Sequence, residues 1–414
     1  MKHYNNEGIN ILLEKTPKTP RMSVSFFFRI DKKEKFFGIN SLLARLLLQG
    51  TKNFNANELA LAFENECIDI TTKAKQDYLK FSLVFLNEDF KRAMELVRDL
   101  ILNSTFDDFE KEIFKMKGEI ISDLDNPKMK MTDMFVKSIF KDHPYSSTHT
   151  KILDNLDKIK KTDIIEAHKA LFDCFKAIVV VGDYQDDQEL INFFTSEFNF
   201  MKSKTQDEIE SNIEDIFKIK NSEDEIIKIT KDDASQAQII QGWLIDSFNS
   251  ELCAKYAVLN NILGSSGLSS RLFVNLRDKQ GLAYTVRSQY ETLLHSAIFN
   301  MYIGTAPTNI KKSLDGFKDE LQKLADVPPN EEELQGAKEN IQGRLKYFTQ
   351  NNSQIGAVQG YNYIMGLGLD YNERFMKEIK LTNAQDVSNM AKKLLESPKL
   401  ITIIAPQNAL DNYN

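Results

Sequence analysis

Zinc chemistry, acyl transfer and thiol chemistry all draw on His and Cys, and this sequence is short of both. Its five histidines are His3, His143, His149, His168 and His295. No two of them form H-E-x-x-H or H-x-x-E-H, the spacings that place two imidazoles and a carboxylate on one helix face. Only His295 lies in the second half of the chain, so a self-contained histidine zinc site is not expected. Cys67, Cys174 and Cys253 are far apart and lack C-x-x-C spacing, which argues against a thiolate zinc site and a disulfide framework. No G-x-S-x-G segment supports a serine-nucleophile elbow. Gly366-Leu367-Gly368 has neither the preceding strand nor the third glycine of a dinucleotide fingerprint, and it reads as a turn.

The elements that would position any site follow from periodicity. Met22 to Ile30 reads as a buried strand and Ser41 to Leu48 as a short, very apolar helix. Asn57 to Cys67 reads as a second helix, and Thr71 to Leu86 as paired strands around a turn near Gln76-Asp77. Glu88 to Asn103 and Phe106 to Asp125 read as amphipathic helices. Phe109, Ile113, Met116 and Ile120 form the apolar stripe of the latter. Ala177 to Val181 is a core strand ended by Gly182-Asp183.

The chain has 414 residues, room for two or three domains. Lys and Arg total 53 against 60 Asp and Glu, a net charge of −7 without a basic block, which argues against nucleic acid as the main partner. No apolar run approaches the ~20 residues that span a bilayer, and residues 1–7 lack the apolar core of a secretory signal. A cytoplasmic protein is expected. Polar and charged residues dominate from about Met201 to Glu225, the best linker candidate. The patterns on its two sides match at an offset of about 220 residues. Ile159–Asp163 opens a helix leading into strand Ala177–Val181, as Ile379–Asn383 does for strand Leu400–Ile404. Phe26–Phe28 followed by Ser41–Leu48 parallels Ile239–Ile245 followed by Lys255–Leu263, and the long helix from Phe106 parallels one beginning near Glu331. Two copies of one α/β unit of about 200 residues explain this pattern.

Two stretches carry more. Gly38-Ile39-Asn40-Ser41-Leu42-Leu43-Ala44-Arg45, continuing to Gly50-Thr51, resembles the G-x-x-H-F-L-E-H-x-x-x-x-G-T segment of the insulinase/pitrilysin family of zinc metallopeptidases. Gly267-Leu268-Ser269-Ser270-Arg271-Leu272-Phe273, with Leu276-Arg277-Asp278-Lys279-Gln280-Gly281-Leu282-Ala283-Tyr284, resembles that family's C-terminal segment bearing a substrate-binding Arg and Tyr. His143-Pro144-Tyr145 and Val181-Gly182-Asp183 are also similar to family landmarks. Where the family has His, Glu and His, this chain has Ser41, Ala44 and Arg45. Both imidazole ligands and the general base are missing. Glu112 and Glu119, seven residues apart and so two helical turns, match the family's third zinc ligand and the Glu seven residues before it. One carboxylate cannot hold zinc, so no catalytic role is carried over.

The resemblance implies an α+β fold: two homologous α/β domains, each a mixed, mainly antiparallel sheet with helices packed on one face, joined in a clamshell. The expected division is 1–200, a linker at 201–225, and 226–414. It further implies the metal-free, substrate-binding subunit of a heteromeric metalloendopeptidase, with no cofactor of its own. Zinc would sit only in a related partner with an intact H-x-x-E-H. Arg277 and Tyr284 would then donate hydrogen bonds to an extended peptide held by strand addition, and Gly264 and Gly267 would line the entrance. The alternative is a proteolytically inactive scaffold or peptide-binding protein of the same fold. Without the resemblance, Arg277 reads as a solvated or salt-bridged helix residue, Tyr284 as a strand residue with its ring in the core, Glu112 and Glu119 as solvent-facing, and Gly264–Gly267 as a flexible turn. For the vacated metal site, Arg45 is expected to bridge to Glu119, Glu112 or both.

Overall fold

A computed structural model describes residues 1–17, 19–30, 32–205, 223–245 and 250–413. The expected linker at 201–225 therefore lies largely outside the described residues. Apolar runs with β-branched and aromatic residues form two sheets. The first contains β1 (Lys2–Asn6), β2 (Ile9–Lys15), β3 (Arg21–Arg29), β4 (Asp69–Ala74), β5 (Tyr78–Leu86) and β6 (Lys176–Gly182), in the order β1-β2-β6-β3-β5-β4. The second contains β7 (Glu225–Thr230), β8 (Ala237–Ile245), β9 (Ala283–Thr292), β10 (Ala297–Thr305) and β11 (Leu400–Ala405), in the order β7-β11-β8-β10-β9.

Without β1 the two orders are the same. β2 pairs with β6 in parallel, as β7 does with β11, and the remaining neighbours are antiparallel. The helices before β6 and β11 also start alike. The backbone N–H of Lys160 donates to Asp163 at 2.8 Å and that of Asn383 to Asp386 at 3.0 Å, each carboxylate satisfying an amide at the helix start. The internal repeat is thus present in topology, although its sequence signal is faint.

The helices of the first half include α1 (Ile39–Leu46), α2 (Ala56–Asn65), α3 (Phe90–Asn103), α4 (Phe109–Asp125) and α5 (Pro127–Phe140). The counterpart of α4 is the helix Glu331–Tyr347, also of 17 residues. All four residues of the expected α4 stripe are buried. The β4–β5 hairpin turns at residues 75–77, and Gly366 and Gly368 take positive φ in a turn, as the sequence suggests.

The compact units are not contiguous in sequence. One unit comprises Met1–Ile121, a segment beginning at His149, and Lys346–Leu369. The other comprises Ser122–Thr148, a segment ending at Leu345, and the chain from Asp370 on. Each repeat gives the other sheet one helix. Helix Asn352–Ile364 lies on β3 and β6, close enough that a Cβ on Gly360 would come within 2.2 Å of the Phe27 ring. Correspondingly, α5 lies on β8 and β11, where a Cβ on Gly242 would meet the Phe135 ring at 2.4 Å. This extra cover buries β3 from Met22 to Arg29 and explains its unbroken apolar run. Among the described residues, no helix is long and apolar enough to cross a membrane.

Candidate functional site

In the first unit, α1 presents the positions of interest. Gly38 precedes it at φ 101°, and the N–H groups of Gly38 and Asn40 donate to the Glu34 carboxylate at 3.3 and 2.6 Å. A negative group at this end suits the helix dipole and satisfies amides that lack intrahelical partners. Leu42, Leu43 and Leu46 fill the core, which leaves Ser41 and Arg45 half-buried on the opposite side. Thr72 of β4 donates its hydroxyl to the Ala44 carbonyl and ties the helix to the sheet edge.

Arg45 reaches α4. Its Nε donates to Glu112 Oε2 at 3.1 Å, and its two terminal nitrogens donate to Glu119 Oε2 and Oε1 at 2.8 and 2.9 Å. This bidentate fork uses the planar geometry that distinguishes Arg from Lys. Glu112 is only 2% exposed, so its charge needs compensation. It has two cationic partners, because Lys115 Nζ also lies 2.6 Å from Oε1. Hydrogen bonding from Arg45 holds the Glu119 carboxyl below its usual range, and Glu119 in turn raises the Arg45 guanidinium. The expected salt bridge therefore joins both glutamates, and the solvent-facing alternative fails for Glu112. Glu119 has an exposed side chain despite its partner.

This constellation does not fit zinc. Ala44 has no donor atom, Ser41 offers a neutral hydroxyl, and a permanent cation engages both carboxylates. Among the described residues, no group of three or more His, Cys, Asp or Glu is arranged to hold a metal. The second unit has a related pair: Arg271 grips Glu333, on the counterpart of α4, with two bonds of 2.6 Å.

Arg277 and Tyr284 lie in the second unit, at the two ends of a turn into β9. The Arg277 side chain is exposed, with its guanidinium carbon 4.6 Å from the Phe273 ring centroid. Gly281 turns the chain at φ 59°, with its N–H donating to the Arg277 carbonyl. β9 is an edge strand, and its register against β10 shifts so that Thr305 faces Ala283 while Gly304 faces Thr285. Tyr284 is the extra residue of this β-bulge, a feature that re-aims side chains. Tyr284 is 77% exposed, not in the core as bare alternation suggested.

Gly264 does not sit on an open rim. It is buried, and a Cβ there would fall 2.3 Å from the Ser288 amide nitrogen of β9. Close packing requires this glycine without reference to any ligand. Gly267 is exposed at φ 96° with open space around it, as a turn glycine would be. Two features have no sequence signal, the bulge at Tyr284 and the exchanged helices, whereas the hold of Lys115 on Glu112 follows from their i, i+3 spacing on α4.

Comparisons with known proteins agree with this description. Residues 11–154 match the family model described as insulinase (peptidase family M16), and residues 158–341 match the one described as peptidase M16 inactive domain. A Bacillus subtilis protein named "Uncharacterized zinc protease YmxG" is 23% identical, over 96% of each chain. A Helicobacter pylori protein named "Non-peptidase homolog YmxG" is 24% identical, over 98% of this chain and 94% of its own. Among solved structures, a peptidase M16 inactive domain from Pseudomonas fluorescens superposes with a TM-score of 0.84 at 19% identity, covering 98% of each chain. A protease from Helicobacter pylori gives 0.85 at 18% identity, over 98% of this chain and 99% of that one.

Proposed function

Because the chain belongs to the insulinase family, peptidase family M16, we propose that it is the non-catalytic, substrate-binding subunit of a heteromeric zinc metalloendopeptidase of the cytoplasm. The carrying observation is the Arg45 guanidinium spanning Glu112 and Glu119 where a peptidase of this family would hold its metal. Chemistry then belongs to a related partner with an intact H-x-x-E-H, and zinc to that partner alone. In this reading an extended peptide adds to a sheet edge through main-chain hydrogen bonds. Arg277 donates charge-assisted hydrogen bonds to a peptide carbonyl or to the developing oxyanion, and the Tyr284 hydroxyl supplies a second donor. Their exposure at the entry to an edge strand supports that role.

The test is co-expression with an intact-motif relative from the same genome. Copurification, with peptidase activity only when both chains are present, is the expected result. Zinc bound stoichiometrically to this chain alone, or activity of this chain alone, would refute the reading. The Helicobacter pylori relative's name, a non-peptidase homolog, favours a second reading: an inactive scaffold or peptide holder. Copurification that adds nothing to the partner's activity would select it.

A further inference from the structure

Two cations on one face of the second sheet lack an anion. Arg287 of β9 lies opposite Tyr302 of β10, and its guanidinium carbon is 5.5 Å from the Tyr302 ring centroid. Lys128, from the first turn of α5, brings its ammonium to 5.9 Å from the same centroid. Among the described residues, neither side chain has a carboxylate partner, and the buried Nε of Arg287 has no hydrogen-bond acceptor. Tyr302 is itself buried, and its hydroxyl donates to the neutral amide of Gln238.

This arrangement runs against several preferences at once. A half-buried guanidinium normally has a carboxylate or carbonyl acceptor. Two like charges over one ring repel each other, and the ring quadrupole offsets only part of that cost. A lysine in the first helical turn also faces the positive end of the helix dipole, and no acidic residue of α5 shares that turn. Burial, and after it Arg287, push the Lys128 ammonium below its usual range. Two buried carboxylates elsewhere, Glu112 and Glu320, are paired with Lys115 and Lys323. The Asn126 side chain already caps the first amides of α5, so what an anion would offset is the charge of the two cations.

We propose that Lys128 and Arg287 form a carboxylate-binding subsite on the second sheet. It takes an acidic side chain, or the free C-terminal carboxylate, of an extended peptide. Taking a peptide as the ligand rests on the function proposed above. Arg287 lies three residues beyond Tyr284 on the same edge strand, so a peptide engaging β9 would have both within one short stretch.

The test uses the full chain and three alanine-based, fluorescently labelled hexapeptides. One is capped at both ends with a single interior Glu, one is the same with Gln, and one has Gln and a free C-terminal carboxylate. Kd is read by anisotropy at low and at physiological salt. At least one carboxylate peptide is expected to bind about tenfold more tightly than the capped Gln peptide, the scale of a charge-assisted contact. Arg287→Gln and Lys128→Gln should each bring that ratio below about twofold, with circular dichroism and melting unchanged. The capped Glu and free-carboxylate arms tell the two sources apart. Equal binding of all three peptides, no binding by any, or discrimination that survives both substitutions would overturn the subsite. Equal binding leaves the peptide-holding function standing. Discrimination through Arg287 without any partner chain in co-expression leaves the subsite standing and removes the heteromeric function.

Discussion

Arg45 is a single positive charge that reaches both Glu112 and Glu119, and it cannot activate water as a metal ion does. Removing it strands Glu112 in the core, and breaking a buried ion pair costs about 3–5 kcal/mol. Arg45→Ala is expected near the low end, about 3 kcal/mol in urea unfolding, because Lys115 keeps its hold on Glu112. A loss within about 0.5 kcal/mol, the range of an ordinary surface change, would mean that water serves Glu112 as well. The Glu119 arm has its own pH signature. Its folded-state pKa is lowered, first by the Arg45 hydrogen bonds. A carboxylate shifted down contributes stability that is complete above its unfolded value and lost as pH falls through the folded one. The difference in melting temperature between the wild type and Glu119→Gln should thus hold from about pH 8 to pH 5 and close below about pH 4. A difference that stays constant into acid would show that charge is not what Glu119 contributes. For the second unit, Arg277→Ala and Tyr284→Phe should each lower turnover of a reconstituted pair by about 10²–10³, the worth of one aligned oxyanion donor. Full activity with a folded subunit would make both residues structural.

At the scale of elements, the glycines next to β9 separate packing from conformation. Gly264→Ala would push a methyl into the Ser288 backbone, which cannot move without shifting the strand. Overpacking of that kind costs about 1–3 kcal/mol, and contact with backbone puts this case near the top of the range. Gly267→Ala meets nothing, so only its positive φ is penalised, by about 1 kcal/mol. Thermal unfolding of the two variants should rank them in that order, and the reverse order would refute the packing account. These elements also mark how far the sequence could be read. The α4 stripe and the β4–β5 hairpin were legible because each buries one face at a regular period. The Arg45 bridge was legible because the resemblance put Arg45 and Glu119 at two ligand positions of one metal site, so that their side chains had to face each other. Tyr284 was not, since a bulge interrupts the alternation on which a strand reading depends. Gly264 was ambiguous for a different reason. A glycine demanded by a neighbouring strand looks the same in one dimension as a glycine in a loop.

Across the whole molecule, the repeat could be read from sequence, but the exchange of helices could not. Neither α5 nor the helix Asn352–Ile364 is among the elements read from the sequence, and an apolar side alone carries no information about which sheet it covers. The exchange has a consequence for folding. The first sheet depends on Gly356 and Gly360 lying against Val181 and Phe27, and those glycines come from the last quarter of the chain. The second depends on α5, whose Met131, Phe135, Ile139 and Phe140 pack with Ile240, Ile298 and Ile404. Splitting the chain between residues 205 and 223 would therefore give two fragments, each lacking one helix of its own compact unit and carrying one that belongs to the other. Each fragment alone should keep much of its secondary structure, bind a hydrophobic dye and melt without a sharp transition, the behaviour of a collapsed chain without fixed packing. Mixing or co-expressing the two should restore a cooperative transition and suppress dye binding, since both missing helices are then supplied. Gly360→Leu in the second fragment should weaken that restoration by driving a large side chain into the Phe27 ring. A first fragment that melts cooperatively by itself, within a few degrees of the intact chain, would show that the exchanged helix is dispensable and that the contiguous halves are the true folding units.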